Sequence, residues 1–258
     1  MIEVDAAVLV GFVQTGLLVL ARIASMLMIA PVFGNPGVPP MVRLMLVLLL
    51  TVLVLPLVPQ APPLAVFSGP WFFAMIHQVL IGIAMGLTLR VVFEAFALAG
   101  ELIANGMGLG FAQMADPIRG GSSPVVSQFL IVSASLLFLA SGAHLTMLAG
   151  LAHSFEARPV SQSVLDPGTV RLLIDWAGSL FAGGLQLALP VVGALLAVNL
   201  ALGVLGRSAP AINLMAVGFP LTLVLGLVML RWVLPSLGTL LEGWLDQAWP
   251  LMARQAGP

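Results

Sequence analysis

The stretch Leu44-Met45-Leu46-Val47-Leu48-Leu49-Leu50-Thr51-Val52-Leu53-Val54-Leu55-Pro56 opens a run that reaches Leu89 without one Asp, Glu, Lys or Arg. A helix that crosses hydrocarbon needs about 20 mainly apolar residues, and the run holds two such stretches. Pro56, Pro59, Pro62, Pro63 and Pro70 separate them, because each proline lacks a backbone donor and clashes with the preceding helical turn. Outward from this run the same pattern repeats. The expected spans are about Ala7–Ala30, Met41–Leu57, Trp71–Phe93, Pro124–Ala149, Trp176–Leu205 and Ile212–Leu234. The fold class is therefore all-α, a polytopic helical membrane protein of about six long apolar helices, with a Gly-rich loop between the third and fourth.

Composition excludes most chemistry. Of 258 residues, 60% are hydrophobic and 7% charged, where soluble domains carry roughly 25% charged residues. Lysine is absent, so there is no P-loop lysine and no Schiff base. Cysteine is absent too, which removes disulfides, thiol nucleophiles and thiolate metal sites. A net charge of −1 gives no electrostatic footprint for nucleic acid and no polybasic run for lipid headgroups. His77, His144 and His153 have neither the spacing nor the accompanying acid of a metal site. No catalytic, cofactor-binding or metal-binding residue is expected.

The acidic opening Met1-Ile2-Glu3-Val4-Asp5 lacks the positive n-region of a secretory signal, so the first apolar segment is expected to be retained. Pro31-Val32-Phe33-Gly34-Asn35-Pro36-Gly37-Val38-Pro39-Pro40 cannot remain helical. The last two spans flank Gly206-Arg207-Ser208-Ala209-Pro210 as a hairpin, with Pro190 and Pro220 expected to bend its arms. Trp71, Trp176, Trp232, Trp244 and Trp249 are placed as interfacial anchors. Six spans put Arg43, Arg90, Arg119 and Arg207 opposite Arg158, Arg171, Arg231 and Arg254. This equal split gives no orientation.

Two features break the apolar rule. Arg90, Glu94 and Glu101 fall on one helical face, either as ion pairs inside a bundle or as a proton-relay or gating element. After them comes Asn105-Gly106-Met107-Gly108-Leu109-Gly110-Phe111-Ala112-Gln113-Met114-Ala115-Asp116-Pro117-Ile118-Arg119-Gly120-Gly121-Ser122-Ser123-Pro124. No strand precedes its glycines, which excludes a dinucleotide loop. The segment reads as a mobile loop within a pore, since irregular backbone at membrane depth must be buried in protein or line a wet cavity. It reads equally as a surface loop with Asp116 as N-cap and Pro117 following it. Gly82 and Gly86, and Gly178, Ala182 and Gly183, form thin faces for close helix packing and oligomeric assembly.

The chain resembles the FliR family of flagellar biosynthetic membrane proteins, part of the type III secretion export gate, with SctT relatives in injectisomes. The resemblance runs over nearly the whole length. It is carried by Ala30-Pro31-Val32-Phe33-Gly34 with Pro39 and Arg43, and by Gly100-Glu101 leading into Gly108-Leu109-Gly110-Phe111-Ala112 and Asp116-Pro117. Further carriers are Phe138-Leu139 with Gly142 and His144, then Pro190, Asn199-Leu200, Gly203, Arg207, Ala209-Pro210, Asn213 and Gly218-Phe219-Pro220. Ala143 departs from the glycine usual there.

The resemblance implies a non-enzymatic subunit that assembles with FliP and FliQ into a channel for unfolded flagellar subunits, engages FlhB and lies beside FlhA. It implies residues 1–150 like a FliP subunit and residues 151–258, with the hairpin, like FliQ. It also implies a pore plug at 106–123 carried by Gly106, Met107, Gly108, Gly110, Phe111, Met114, Asp116 and Pro117. Partner contact is expected at Arg207 and Pro210. The location implied is the bacterial inner membrane, in the flagellar basal body, with membrane lipid as a further partner. The alternative is a stand-alone transporter or ion channel using Arg90, Glu94 and Glu101 as an intramembrane relay.

Overall fold

The computed structural model describes residues 6–58, 68–110, 124–160, 167–208 and 214–256. Among these, every regular element is helical. The helices are α1 (Ala6–Ile29), α2 (Pro40–Val54), α3 (Gly69–Gly106), α4 (Val125–Ala140), α5 (Ala143–Ala157), α6 (Pro167–Ser208), α7 (Leu214–Val233) and α8 (Leu237–Ala256). Short 3-10 turns at Leu55–Leu57 and Leu234–Ser236 each contain a proline and follow α2 and α7.

Among the described residues, five helical stretches are long and apolar enough to cross a membrane. A sixth arises if α4 and α5, bent by 69°, count as one span. The bend falls at Ser141-Gly142, where Gly142 adopts φ 75°, a left-handed conformation that glycine enters without steric penalty. Three boundaries differ from the sequence expectation. α3 runs on through Glu94 and Glu101 to Gly106 instead of stopping near Phe93. α6 begins at Pro167, where the missing N–H of a first helical residue costs nothing, and the chain beyond Leu234 forms α8. At about 1.5 Å per residue, α3 and α6 are about 57 and 63 Å long, roughly twice the hydrocarbon thickness. Their full length cannot be explained as a simple span.

The chain packs as two compact units interleaved along the sequence. The first comprises Met1–Val91, Leu139–Ala177 and Leu245–Pro258; the second comprises Val92–Phe138 and Gly178–Trp244. In the first, α1 and α3 approach closely at the two glycines Gly82 and Gly86. A Cβ on Gly82 would collide with the Ser25 hydroxyl and the Arg22 carbonyl, and one on Gly86 would lie 2.8 Å from the Met26 carbonyl oxygen. This thin face is therefore consumed inside the chain, not offered for oligomeric assembly. Thr88 and Gln255 exchange a buried side-chain hydrogen bond at 2.8 Å, and the Trp176 indole donates to the Thr88 carbonyl at 2.9 Å.

The second unit uses its glycines in the same way. A Cβ on Gly100 would strike the Ser127 backbone, while Gly183 faces the Trp244 ring and Gly184 faces Leu98. Gly178, in the same expected thin face, meets nothing within 4 Å. Trp244 stacks edge-on against Phe96 at 5.0 Å, so it is a packing residue of this unit rather than an interfacial anchor. Trp232, by contrast, is 71% exposed.

Burial is uneven among the apolar helices. The most apolar window of α3 is 61% buried, against 17% for α2 and 22% for α6. Large exposed side chains such as Met45, Leu49, Val52, Leu200 and Val204 leave apolar surface far beyond that of a soluble monomer.

Candidate functional site

The C-terminal end of α3 carries the first of the expected plug residues, and its backbone is fixed. Gly108 has φ 81°. Its N–H donates to the Asn105 carbonyl at 3.0 Å and the Leu109 N–H donates to the Ala104 carbonyl at 3.0 Å. These two bonds around a left-handed glycine make a Schellman cap, which satisfies the last carbonyls of a helix. Gly106 is the last helical residue, and Met107 follows it.

Met107 is 1% exposed and is held from α7 within the same compact unit. The Thr222 hydroxyl lies 3.2 Å from the Met107 carbonyl oxygen and 3.1 Å from that of Phe219. Gly226 makes room for the thioether, since a Cβ there would lie 2.5 Å from Met107 Cγ. The Phe219 ring covers Gly108, and Leu195 of α6 packs on Gly106. The unbranched methionine fills this irregular gap, as its flexibility allows. Residues 106–109 therefore form a capped helix end. Phe111, Met114, Asp116 and Pro117 lie outside the described residues, as does Pro210 at the hairpin turn.

Of the three charged residues, Arg90 and Glu101 are exposed and Glu94 is half-buried, all on α3. Arg90 and Glu94 both have interaction partners. Arg207 is exposed in the last turn of α6, where a cation complements the negative end of the helix dipole.

The sequence reading missed a second centre, in the first unit. Arg22 lies about two turns before the C-terminal end of α1 and is completely buried. Its Nε donates to Gln78 Oε1 at 2.7 Å, Nη1 to the Ser154 carbonyl at 2.7 Å and to Ser154 Oγ at 3.2 Å, and Nη2 to the Arg158 carbonyl at 3.0 Å. The guanidinium also lies over the Phe155 ring, 4.3 Å from its centroid. Ser154 and Arg158 close the C-terminal end of α5. The Ser154 carbonyl already accepts the Arg158 N–H at 3.1 Å, whereas the Arg158 carbonyl lies past the last helical residue, at the negative end of the helix dipole. Arg22 thus caps α5 from another helix, and the dipole with the aromatic face stabilises the buried cation. Gln78 completes the node by donating to the Val160 carbonyl at 3.3 Å. The signal in the sequence was one arginine inside an otherwise uncharged span, which is costly unless it has dedicated partners.

A third arrangement shapes the loop after α1. Arg43 donates to the carbonyls of Phe33 at 3.2 Å and Asn35 at 3.0 Å, clamping the proline-glycine connector. Val32 stands at φ 68°, with the Phe33 N–H donating to the Pro31 carbonyl at 2.8 Å. This is a γ-turn of the strained, positive-φ kind. Gly34 must be glycine, since a Cβ there would lie 2.5 Å from the Met28 carbonyl oxygen.

Comparison with known proteins places these features in a family. The family described as bacterial export proteins, family 1, matches residues 13–248. The chain belongs to this family. The flagellar biosynthetic protein FliR of Pectobacterium carotovorum subsp. carotovorum is 39% identical over 233 residues, covering 90% of this chain and 88% of the relative. FliR of Escherichia coli (strain K12) is 35% identical over 237 residues, covering 91% and 89%. FliR of Caulobacter vibrioides is 34% identical over 219 residues, covering 84% and 87%. The chain is thus a flagellar export protein of the FliR family with several apolar helices of membrane-spanning character.

Proposed function

We propose that this FliR-family chain is a non-catalytic subunit of the flagellar type III export gate. In this reading it forms, with FliP and FliQ, the channel for unfolded flagellar subunits in the bacterial inner membrane, within the basal body. It engages FlhB and lies beside FlhA. The segment 106–123 helps to close the pore. The observation that supports this reading most directly is the seating of Met107 between Thr222 and Gly226. It gives the segment that follows a rigid root on α3 and α7. The uncovered apolar faces of α2, α6 and α7 fit a chain whose helices are sheathed by other subunits. Residues 1–150 would take the place of a FliP-like subunit, and residues 151–258 that of FliQ.

The experiment is mild-detergent purification of the tagged chain from its own cells, with mass determination of what co-elutes. Recovery with FliP and FliQ supports the reading. A chain that elutes alone, or that carries solute across liposomes by itself, contradicts it.

A further inference from the structure

At the end of the first compact unit, an open cavity of about 790 Å³ is lined by Arg158, Arg171 and Arg254, with Asp175, Thr169 and Leu172. The arginines come from three places in the chain: the end of α5, the opening turns of α6 and the end of α8. Three arginines and one aspartate line it, so the lining is positive although the chain as a whole is not. Among the described residues, Arg171 and Arg254 make no hydrogen bond or ion pair. The N-terminal end of α6 adds its own partial positive charge. The backbone of Arg158 is held in place by Arg22.

We propose that this cavity binds the phosphate of an acidic phospholipid headgroup. Guanidinium forks match phosphate oxygens in geometry and charge. The depth along α6 fits, because the helix carries no Asp, Glu, Lys or Arg from Trp176 to Gly206. Arg171 and Asp175 therefore stand just outside an apolar stretch that begins at Trp176. Leu172 gives the cavity an apolar lining residue, and the neighbouring face of α6 carries Val170 and Ile174, 46% and 66% exposed. A free phosphate ion would fill little of the cavity, whereas a headgroup held there would leave its acyl chain beside the charge-free stretch of α6. The proposal concerns residues outside the segment assigned to pore closure and does not depend on the export reading.

The test is native mass spectrometry of the full chain in mild detergent, offered phosphatidylglycerol and phosphatidylcholine at equal concentration. The wild type is expected to retain phosphatidylglycerol preferentially. At about fivefold per arginine near a charged lipid surface, Arg171→Gln with Arg254→Gln should lower that retention roughly 25-fold. Arg231→Gln, at the end of α7, should leave it unchanged. Asp175→Asn should raise it severalfold, a gain that misfolding cannot produce. Equal retention of the two lipids, or no response to Arg171→Gln/Arg254→Gln and Asp175→Asn, overturns the proposal. So does displacement of the lipid by millimolar inorganic phosphate, which would mark a soluble-anion site. A photocrosslinker at Ile174 in cell membranes should label lipid, and capture of polypeptide instead also overturns it.

Discussion

Arg22 and Ser154 are 132 positions apart in the chain, yet the guanidinium of one holds the carbonyl and the hydroxyl of the other. The contact is a helix cap supplied by a different helix. It answers the need of two groups at once: the Arg158 carbonyl lies past the last turn of α5, and the buried cation lacks a carboxylate among its hydrogen-bond partners. Removing the donor should therefore cost more than an ordinary core substitution. Arg22→Met removes the guanidinium donors from Gln78 Oε1, Ser154 and the Arg158 carbonyl, although the Ser154 carbonyl keeps the Arg158 N–H; a buried group left short of a partner costs about 1–3 kcal/mol in general. Partial rescue by neighbouring donors makes about 2–4 kcal/mol the expected loss. Arg22→Lys should lose about half as much, because an ammonium can reach some of the same oxygens. Thermal unfolding in detergent measures the series, and an unchanged Arg22→Met would refute the capping role.

Gly82 and Gly193 differ in what surrounds them, and the difference predicts opposite outcomes. Alanine at Gly82 drives a methyl into the Ser25 hydroxyl and the Arg22 backbone; overpacking of this kind costs about 1–3 kcal/mol. Alanine at Gly193, within α6, meets nothing within 4 Å and should be neutral or stabilising by up to about 1 kcal/mol. Unfolding midpoints of the two variants, compared side by side, decide the point. A tolerated Gly82→Ala would mean that α1 and α3 are not in contact there.

Val32 is the wrong residue for its backbone. A β-branched side chain at φ 68° is held there by the turn and by the Arg43 clamp, and such conformations cost about 1–3 kcal/mol. Val32→Gly should relieve the strain and raise the unfolding midpoint, despite an entropic cost of about 0.5–1 kcal/mol for glycine. If export falls while stability rises, the strained turn serves function. A fall in stability would show that the turn is not under strain.

The sequence made the helices legible because apolar runs and prolines act locally. Leu44–Leu89 without charge, interrupted by five prolines, is enough to place α2 and the start of α3. The end of α3 was not legible, since Glu94 and Glu101 look like a stop when every apolar helix is assumed to lie in lipid. The structure lets α3 pass them because that helix is roughly twice the thickness of a bilayer. Arg22 was hidden for a different reason. Its partners come from α3 and from the end of α5, more than fifty and more than a hundred residues away, and no local pattern encodes such a cap. The glycines at 106–110 suggested looseness by composition alone. In place, Gly108 supplies a left-handed cap and Gly106 a close approach, so the same residues make the helix end rigid.

That rigidity gives the plug reading its sharpest test. Gly108 holds φ 81° beneath the Phe219 ring, and a non-glycine residue in that region costs about 1–2 kcal/mol. Gly108→Val should break the cap, exposing the Ala104 and Asn105 carbonyls, and should speed hydrogen exchange at the Leu109 amide. Gly108→Asn, which enters the left-handed region more easily, should be milder on both counts. Thr222→Val, which removes the hydroxyl at the Met107 carbonyl, should loosen the same root by about 1 kcal/mol. If segment 106–123 closes a pore, cells carrying Gly108→Val or a deletion of Gly108–Phe111 should leak small solutes while the protein still assembles. The leak should rank as Val above Asn above wild type, following the loss of the cap. An assembled Gly108→Val protein with faster exchange at Leu109 and unchanged permeability would separate the helix cap from closure, and the plug role would have to be abandoned.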